Sequence, residues 1–304
     1  MREMLSKEGI VTRRVALELC NVVVGQRIPT VSELETLCSA SRGNVQKALR
    51  NLCERGAVTL ESHGQNGTKL TAIDLPALAS VCGRDHLVGV MPLPYTTRYE
   101  GLATGLFTYL SAEGMRSFIT FQRGSEARVQ MLLDGFANYV VMSRMAFDSY
   151  ASRGCKVELA LELPPLTYVG RHVLMARDAE RSDWSGARVG IDESSVDQSS
   201  LTHAFFAGCD VEYVPVQYTH IVDMLLAGEL DMGIWNEDDV HVRAADLERR
   251  PIDDPALHGA NTRAVIVTRS DDALTRRLIQ ALLSSEKIEE TQRKVMSGEL
   301  MARY

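Results

Sequence analysis

The chain has 304 residues and lacks the features that mark three large classes of protein. None of its six cysteines forms a Cys-x-x-Cys pair, which argues against a zinc knuckle or a disulfide scaffold and favours a reducing compartment. The first residues contain no apolar core of a signal peptide, and no stretch approaches the roughly 18 uncharged apolar residues of a membrane span. We therefore expect a cytoplasmic protein with no membrane partner.

Motifs of the common enzyme and cofactor classes are also missing. The chain contains no Gly-x-Ser-x-Gly, P-loop, His-Glu-x-x-His or dinucleotide-binding Gly-x-Gly-x-x-Gly sequence. Residues 237–241 include three carboxylates and a histidine that could bind a divalent metal, but an acidic solvated loop after a strand is the favoured interpretation. We therefore predict no catalytic residues, no cofactor and no metal site.

Length and charge indicate a folded protein of more than one unit. The chain is roughly twice as long as an average domain, so two or three globular units are expected. Residues 1–75 carry ten cationic against eight acidic residues, net +2, whereas the remaining residues carry 23 against 32, net −9. A mildly basic head on an acidic body indicates that the head is the part that contacts a polyanion.

The head has the pattern of a helix-turn-helix. Mostly apolar residues at 12–24 predict a first helix that stops at Gly25. Thr30 and Glu33 have the spacing of a capping box, so a second helix begins there, and Ser41 is the expected N-cap of a third helix after a short turn. In this third helix the apolar residues recur at helical spacing at Val45, Ala48, Leu49 and Leu52.

A polar and cationic face lies opposite that apolar stripe. It is centred on Gly43, Gln46, Lys47 and Arg50. Such a face suits a helix in the major groove, where Arg and Lys bind phosphates or guanine edges and Gln binds adenine. Residues 58–61 and 68–71 predict two strands, and the Gly/Asn turn at 63–67 between them is long enough to form a wing tip.

These residues resemble the winged helix of GntR-type regulators. The resemblance rests on Gly25-x-Arg27-Ile28-Pro29-Thr30-x-x-Glu33-Leu34, Ser41-Arg42-x-x-Val45-x-x-Ala48-Leu49-x-x-Leu52 and Gly56-Ala57-Val58. It implies DNA contacts from Arg42, Asn44 and Gln46 and a wing glycine, Gly64 or Gly67, in the minor groove, although Gly43 and Gln46 depart from the family pattern. A polar face that binds protein is the alternative. The residues assigned to double-stranded DNA are Arg42, Gly43, Asn44, Gln46, Lys47, Arg50, His63, Gln65 and Asn66.

A short internal repeat organises the rest of the chain. Residues 129–144 and 222–237 each have the pattern of a helix end, a glycine C-cap, an Asn/Asp turn and an apolar strand. Upstream of each copy, a short apolar strand at 87–90 or 188–191 leads through a polar loop to another helix. This doubled order predicts two similar α/β lobes.

Two such lobes, followed by a strand at 264–268 and a helical segment at 272–290, resemble the type II periplasmic-binding-protein fold. In that fold the chain crosses twice between the lobes; the candidate crossings are residues 157–163 with 168–175, and the strand at 264–268. The predicted fold class is α/β, with an N-terminal winged helix-turn-helix and a two-lobed domain. The predicted domains are DNA-binding residues 1–74, a linker at 75–86 and effector-binding residues 87–304.

Candidate ligand residues follow from the same arrangement. Open α/β sheets bind ligands beyond the carboxyl ends of their strands, where helix N-termini present free amides to anions. The loops at 91–100 and 192–198 and the strand ends at 143–144 and 235–236 would face one cleft. Helix capping and packing are the alternative roles for each side chain. The residues assigned to a small anionic effector are Tyr95, Thr96, Thr97, Arg98, Tyr99, Ser143, Arg144, Ser194, Ser195, Asp197, Gln198, Trp235 and Asn236.

Taken end to end, the sequence resembles the YhfZ family of proposed bacterial transcriptional regulators. The resembling residues are Met91-Pro92-Leu93-Pro94-Tyr95-Thr96-x-x-Tyr99-Glu100-Gly101-Leu102-Ala103, Thr167-Tyr168-Val169-Gly170 and Ile234-Trp235-Asn236. The resemblance implies the same two-part architecture. We predict a ligand-responsive transcriptional regulator, a homodimer that binds double-stranded DNA and a small effector. The alternative is an enzyme of small-molecule metabolism on a periplasmic-binding-protein-like fold.

Overall fold

The computed structural model of the chain describes residues 7–178, 183–238, 247–252 and 259–304. The helices are α1 (Lys7–Cys20), α2 (Val31–Cys38), α3 (Arg42–Glu54), α4 (Leu75–Val81), α5 (Thr97–Ala112), α6 (Ser125–Leu133), α7 (Arg144–Ser152), α8 (Val196–Phe205), α9 (Ile221–Ala227), α10 (Ala273–Leu282) and α11 (Ser285–Met296). The strands are β1 (Val58–Ser62), β2 (Thr68–Ile73), β3 (His86–Met91), β4 (Arg116–Phe121), β5 (Tyr139–Ser143), β6 (Val157–Glu162), β7 (His172–Ala176), β8 (Ala187–Ile191), β9 (Val211–Pro215), β10 (Met232–Asn236), β11 (Glu248–Pro251) and β12 (Ala264–Arg269).

Internal contacts divide the chain into two units. The head unit contains Met1–Leu87, Leu110–Arg116 and Asp271–Leu282. The lobed unit contains Val88–Tyr109, Ser117–Ser270 and Leu283–Tyr304. No helix of the described residues is both long and apolar enough to cross a membrane.

The head unit starts with three helices around one apolar core. Fully buried side chains come from each of them: Val15 and Leu19, Leu34, and Val45 and Leu52. The predicted capping box is present, since the Glu33 amide donates to Thr30 Oγ1 at 3.2 Å and the Thr30 amide donates to Glu33 Oε2 at 2.6 Å. These two bonds satisfy amides that the helix start would otherwise leave unpaired.

The first helix ends earlier than the sequence predicts. The prediction that it continues to Gly25 is wrong, because α1 stops at Cys20. Residues 22–24 are three valines, whose β-branched side chains lose rotamer freedom in a helix. The Gly25 amide instead donates to the Leu70 carbonyl at 2.7 Å, so the chain runs toward β2.

A two-stranded hairpin follows α3. Gly56, at φ +69°, ends the helix in a conformation that favours glycine. Strands β1 and β2 then pair antiparallel from Val58 opposite Ile73 to Ser62 opposite Thr68. This is the hairpin that the sequence predicts, extended by one and two residues at the strand ends.

Segments beyond the hairpin complete the head unit. Residues 75–81, part of the predicted linker, form helix α4, which packs against α1 and α10. Leu78 and Ala79 of α4 are fully buried. Arg84 donates to Asp272 at 2.5 Å, so a half-buried ion pair joins the α4 side to the start of α10. The head unit therefore includes chain from beyond residue 74.

The lobed unit contains two five-stranded sheets of equivalent topology. Their strand orders are β4-β3-β5-β12-β6 and β9-β8-β10-β7-β11. In each sheet the central strand lies parallel to the first strand of its lobe, β5 to β3 and β10 to β8, and antiparallel to the next strand, β12 or β7. The same order built twice confirms the predicted repeat of α/β lobes.

The chain connects the lobes as the sequence predicts. It leaves the first sheet after β6, enters the second at β7, and returns to the first at β12. Every residue of β5 and of β10 is buried, as expected for central strands covered on both faces. The predicted helical segment at 272–290 consists of two helices, because the Ser284 hydroxyl accepts from the Lys287 amide at 3.3 Å and starts a separate helix, α11.

Candidate functional sites

The predicted DNA-binding face of α3 is fully open to solvent. Val45, Ala48 and Leu52 face the core and are at most 1% exposed. The side chains assigned to DNA on this helix are all exposed: Arg42, Gly43, Asn44, Gln46, Lys47 and Arg50. Helix α3 therefore presents two arginines, a lysine and two amides on one accessible surface.

The turn between α2 and α3 contains a residue in an unfavourable backbone conformation. Ser39 adopts φ 49° and ψ 50°, a left-handed conformation that glycine accommodates more readily. Ser41 is the N-cap of α3 as predicted, but its side chain makes no capping bond.

Lys47 on the exposed face pairs with Glu8 of α1 at 2.6 Å, and both side chains are largely exposed. An incoming phosphate would compete with that carboxylate.

The hairpin tip is a compact turn. One turn of 3-10 helix spans Gly64–Asn66, and the His63 amide donates to the Gly67 carbonyl at 2.8 Å. His63 and Asn66 are exposed. The side chain of Gln65, which is also assigned to DNA, lies outside the described residues. The tip thus presents polar side chains to solvent next to two glycines at positive φ.

The second candidate site is a cavity between the two lobes of the lobed unit. Its volume open to the centres of water molecules is about 80 Å³, which is enough for several waters or one small molecule. Residues near the N-termini of three helices line it: Tyr99 of α5, Ser125 and Arg128 of α6, and Asp197 and Gln198 of α8. Helix N-termini carry partial positive charge and free amides.

Hydrogen bonds hold the lobes together around the cavity. Ser143 of the first lobe donates to Asp197 of the second at 2.5 Å. Arg123 donates to Gln217 across the lobes at 2.8 Å. The backbone of Gly124 approaches the Ser194 carbonyl so closely that a Cβ at residue 124 would lie 3.1 Å from that oxygen. The lobes are therefore in contact at the rim.

Arg128 is the most unusual side chain of the cavity wall. It is 4% exposed, and its Nη1 and Nη2 donate to the Gln122 carbonyl at 3.0 Å and the Tyr168 hydroxyl at 3.2 Å. Its Nε has no hydrogen-bond partner, and it forms no ion pair with the described residues. Buried charges are normally paired, so a buried guanidinium that forms no ion pair with the described residues is unusual.

The second lobe supplies unsatisfied polar atoms to the same cavity. Asn236 is 2% exposed; its Oδ1 accepts from the Asp238 amide at 2.9 Å, while its Nδ2 has no partner among the described residues. The hydroxyl of Thr219 is also buried without a partner. Leaving a buried donor unpaired costs about 1–3 kcal/mol, so these groups point to a ligand that completes them.

Asp197 is one of two carboxylates of the cavity wall. Burial raises the pKa of this carboxyl to about 6, while the Ser143 hydrogen bond and the charge of Arg128 act in the opposite direction. The carboxylate is therefore partly protonated in mildly acidic solution. Asp192, a second carboxylate of the wall, is fully engaged by the Ser194 hydroxyl at 2.6 Å and the Tyr218 amide at 2.8 Å.

Tyrosines form the apolar part of the wall. The ring of Tyr99 makes edge contacts with Tyr95 and Tyr168 at centroid distances of 5.5 and 5.4 Å. In the second lobe the ring of Tyr218 stacks on Trp235 at 4.3 Å. Burial raises the pKa of Tyr168 to about 12, so this phenol stays neutral and available for hydrogen bonds.

The cavity brings together some of the predicted ligand residues and leaves others out. Those that line it are Tyr95, Tyr99, Ser195, Asp197, Gln198 and Asn236. Ser195 is the N-cap residue of α8 but makes no side-chain capping bond, so its hydroxyl is not consumed by the helix. Gln198 instead bonds to the Gly190 carbonyl at 3.1 Å and accepts from the Asp192 amide at 2.7 Å.

The remaining predicted ligand residues are not among the lining residues: Thr96, Thr97, Arg98, Ser143, Arg144, Ser194 and Trp235. Arg98 donates to both carboxylate oxygens of Asp238 at 2.8 and 3.0 Å, and Arg144 donates to Asp148 and Glu162. Both guanidinium groups thus already have counter-ions. The hydroxyl of Thr96 accepts from the Tyr99 amide at 3.2 Å, and that of Ser143 accepts from the Ala146 amide at 2.9 Å, as helix caps do.

Sequence reasoning missed Arg128. Its signal was present, because Ser125, Arg128, Val129 and Leu132 follow one helical face and all are buried. A cation on the apolar face of a short helix is unusual in the absence of a partner. Thr219 of the second lobe and Tyr168, which lies in the connector between β6 and β7, have no comparable periodic pattern around them. Only the folded chain brings these two residues to the cavity.

The predicted absence of a metal site has no direct test in the structure. Asp239 and His241, two members of the acidic segment, lie outside the described residues. Asp238 is engaged by Arg98 and by the Gly170 amide at 2.6 Å. In the part of the chain that is described, no group of three or more His, Cys, Asp or Glu side chains could hold a metal ion.

Comparisons with known proteins agree with both halves of this architecture. Residues 74–304 match the family model named YhfZ C-terminal domain, and residues 23–70 match a model named Helix-turn-helix domain. YhfZ of Escherichia coli (strain K12) is 38% identical over 307 residues, which cover 100% of this chain and 99% of that protein.

Solved structures give the same result. The crystal structure of YhfZ from Shigella flexneri matches with a TM-score of 0.66 and 37% identity, over 76% of this chain and 98% of that chain. The periplasmic aliphatic sulphonate binding protein SsuA from Escherichia coli matches with a TM-score of 0.53 and 11% identity, over 70% of this chain and 74% of that chain. At that identity the second match shows the fold alone, which is the predicted two-lobed binding-protein fold.

Proposed function

Because the chain belongs to the YhfZ family and carries a helix-turn-helix domain ahead of a binding-protein-like fold, we propose that it is a cytoplasmic transcriptional regulator that responds to a small anionic metabolite. The observation that carries this proposal is that one chain combines an exposed cationic helix with a cavity whose buried arginine forms no ion pair with the described residues. The first feature suits DNA and the second suits an effector.

Double-stranded DNA is the proposed partner of α3 and the β1–β2 hairpin. Arg42, Asn44 and Gln46 lie where a recognition helix contacts base edges, and Lys47 and Arg50 bind phosphates. The hairpin acts as a wing, with the Gly64–Asn66 turn directed at the minor groove. Exposure of these α3 side chains supports the assignment, because a helix that packed them inward could not reach a groove.

A small anion is the proposed occupant of the cavity. Its negative group would pair with Arg128, whose Nε is unpartnered, and accept a bond from Asn236 Nδ2 in the opposite lobe. Donors from both lobes support a ligand that favours the closed arrangement. The ligand shifts the population toward closed lobes because it binds that state more tightly.

Chain continuity supports a link between ligand and DNA. Asp271–Leu282 of the head unit lies between β12 and α11 of the lobed unit in sequence, and we propose that this covalent connection transmits closure of the lobes to the head unit. We further propose a homodimer, whose two recognition helices would read half-sites about 34–36 Å apart. X-ray scattering profiles that are identical with and without effector would contradict this closure mechanism.

The decisive experiment combines footprinting with analysis of the bound small molecule. We expect the purified protein to protect a site in the promoter region of its own gene and to release a carboxylate- or phosphate-bearing metabolite on denaturation, identified by mass spectrometry. Adding that metabolite back should change the footprint. A footprint that is absent on promoter DNA and on random DNA alike would contradict the assignment of DNA as the partner.

A further inference from the structure

Four side chains that carry a full charge line the cavity, Arg123, Arg128, Asp192 and Asp197, and of these Arg128 and Asp197 form no ion pair with each other. Arg128 is held by the Gln122 carbonyl and the Tyr168 hydroxyl, and its Nε remains unpartnered. Asp197 has one carboxylate oxygen, Oδ1, bonded to the Ser143 hydroxyl, and its Oδ2 accepts no bond from the described residues. The charge of Arg128 still acts on Asp197, so the two groups are near each other without an ion pair.

Because Arg128 and Asp197 do not pair with each other, they restrict the charge of a ligand that could bind between them. A purely anionic ligand would satisfy Arg128 but would place a second negative charge close to Asp197 in a largely enclosed site, where repulsion is poorly screened. A purely cationic ligand would leave Arg128 buried and uncompensated. A ligand that carries both charges would satisfy Arg128 and Asp197 together and would add no net charge to the cavity.

The other lining residues fit a small ligand of this kind. Asp192, the other carboxylate of the wall, already accepts bonds at both oxygens from Ser194 and Tyr218, whereas Oδ2 of Asp197 accepts none from the described residues, so Asp197 is the less occupied acceptor for an ammonium group. The volume of about 80 Å³ open to the centres of water molecules holds several waters and so suits a small ligand. The tyrosine rings at 95 and 99 provide an apolar wall against which a short side chain would pack.

We propose that the cavity selects a compact zwitterion, an amino acid whose carboxylate binds Arg128 and whose ammonium group binds Asp197. This inference rests on the proposed effector site and makes it more specific. The Asn236 amide and the Thr219 hydroxyl, both unpartnered, supply further bonds from the second lobe. The ligand thereby fills polar groups of both lobes and favours their closure.

Matched probes test the two charges separately. The full-length protein would be titrated calorimetrically with the standard α-amino acids, β-alanine and 4-aminobutyrate. The tightest binder would then be compared with its hydroxy acid, which lacks the ammonium group, and with its decarboxylated amine. We expect each of the two analogues to bind at least about tenfold more weakly than the amino acid.

Variants of Arg128 and Asp197 test which residue is responsible for each loss of affinity. Asp197→Asn keeps an acceptor for Ser143 and should weaken the amino acid by about tenfold or more while leaving the hydroxy acid unchanged. Arg128→Gln should weaken both. Asp223→Asn, an exposed carboxylate of α9 outside the cavity, is the matched control and should bind like the wild type. Circular dichroism spectra and melting curves check that each variant folds.

The outcomes separate this inference from the proposed function. A hydroxy acid that binds as tightly as the amino acid, with affinity reduced in Arg128→Gln, would overturn the zwitterion and leave the anionic effector site intact. Absence of binding by every amino acid at about 10 mM would also overturn the zwitterion. If the metabolite that co-purifies with the protein carries no anionic group, both proposals are wrong.

Discussion

The α3 surface and the interlobe cavity use the same types of side chain in opposite environments. On α3, Lys47 and Arg50 are exposed, and solvent screens their charge until a phosphate approaches. In the cavity, Arg128 is 4% exposed and has lost its water without gaining an ion pair from the part of the chain that the structure describes. In the proposed function, the surface would therefore bind DNA through many weak, salt-dependent contacts, whereas the cavity would concentrate the binding energy for an effector in a few buried groups.

The largest expected effect comes from removing the buried cation, which tests whether the cavity depends on a single buried charge. Arg128→Met should lower the affinity for the tightest-binding amino acid of the titrations by about 100-fold, because a ligand carboxylate would then be buried unpaired. Arg144→Met is the matched control, since Arg144 is paired with Asp148 and Glu162 and does not line the cavity. Isothermal titration calorimetry measures both. Equal losses in the two variants would contradict the distinction between a buried unpaired and a paired arginine.

The second test removes cations from the α3 surface. The double variant Lys47→Ala/Arg50→Ala should weaken binding to all DNA sequences by about tenfold, because phosphate contacts carry no base specificity. The slope of log affinity against log salt should fall by about 1 for each phosphate that the variant no longer binds. Fluorescence anisotropy at several salt concentrations measures both quantities.

Controls for the DNA test come from the same chain. Arg249→Ala, an exposed arginine of β11 in the lobed unit, should leave affinity and salt slope unchanged. Gln46→Ala should change the preferred sequence with little change in slope, since an amide contributes no counter-ion release. Equal slopes for the wild type and the double variant would remove Lys47 and Arg50 from the phosphate contacts.

The same comparison explains what the sequence could and could not predict. The α3 surface is local: a capping box at Thr30, a three-residue turn and the spacing of Val45, Ala48 and Leu52 place its exposed face within one helix. The cavity is assembled from residues of both lobes and the connector, such as Arg128 and Tyr168. The helix starts in the sequence predict the loops of the cavity, so Asp197 and Ser195, which line it, are among the predicted residues. The sequence does not show which predicted side chains already have hydrogen-bond partners and are therefore not available to a ligand.

Arginine shows the difference most clearly. Arg98 follows a proline-rich loop at a helix start and was therefore predicted as an anion ligand, yet Asp238, 140 residues away, already engages it. Arg128 lies on a buried helix face and was not predicted, yet it lines the cavity. Periodicity indicates burial, but only the tertiary fold determines which buried charge has a partner.

The third test concerns the carboxylate that faces Arg128. Its pKa is raised from 3.8 to about 6 by burial, so the folded protein holds this proton more tightly than the unfolded chain does. Between about pH 4 and pH 6 the raised pKa of Asp197 therefore lowers the free energy of unfolding as pH increases. Asp197→Asn should remove this loss and make the ligand-free protein more stable at pH 7 by about 3 kcal/mol.

Denaturant unfolding at pH 4, 5, 6 and 7 checks the prediction, with Asp223→Asn as the exposed control. The quantity to compare is the difference between variant and wild type, because other carboxylates add their own pH dependence to both. A difference that stays constant across this range would show that Asp197 titrates with an ordinary pKa. In that case burial would not be a cost that the ligand has to offset.

The smallest expected effect is a difference in the free energy of unfolding between variants of two helix caps in the head unit. Thr30→Ala should lower the free energy of unfolding by about 1 kcal/mol, because it removes the acceptor for the Glu33 amide and breaks the capping box of α2. Ser41→Ala should cost less, because the Ser41 hydroxyl makes no capping bond to α3. Guanidinium titrations of both variants measure the difference. If Ser41→Ala proves as costly as Thr30→Ala, the N-terminus of α3 is capped in solution, and the amides of that N-terminus are not free to bind a DNA phosphate as proposed.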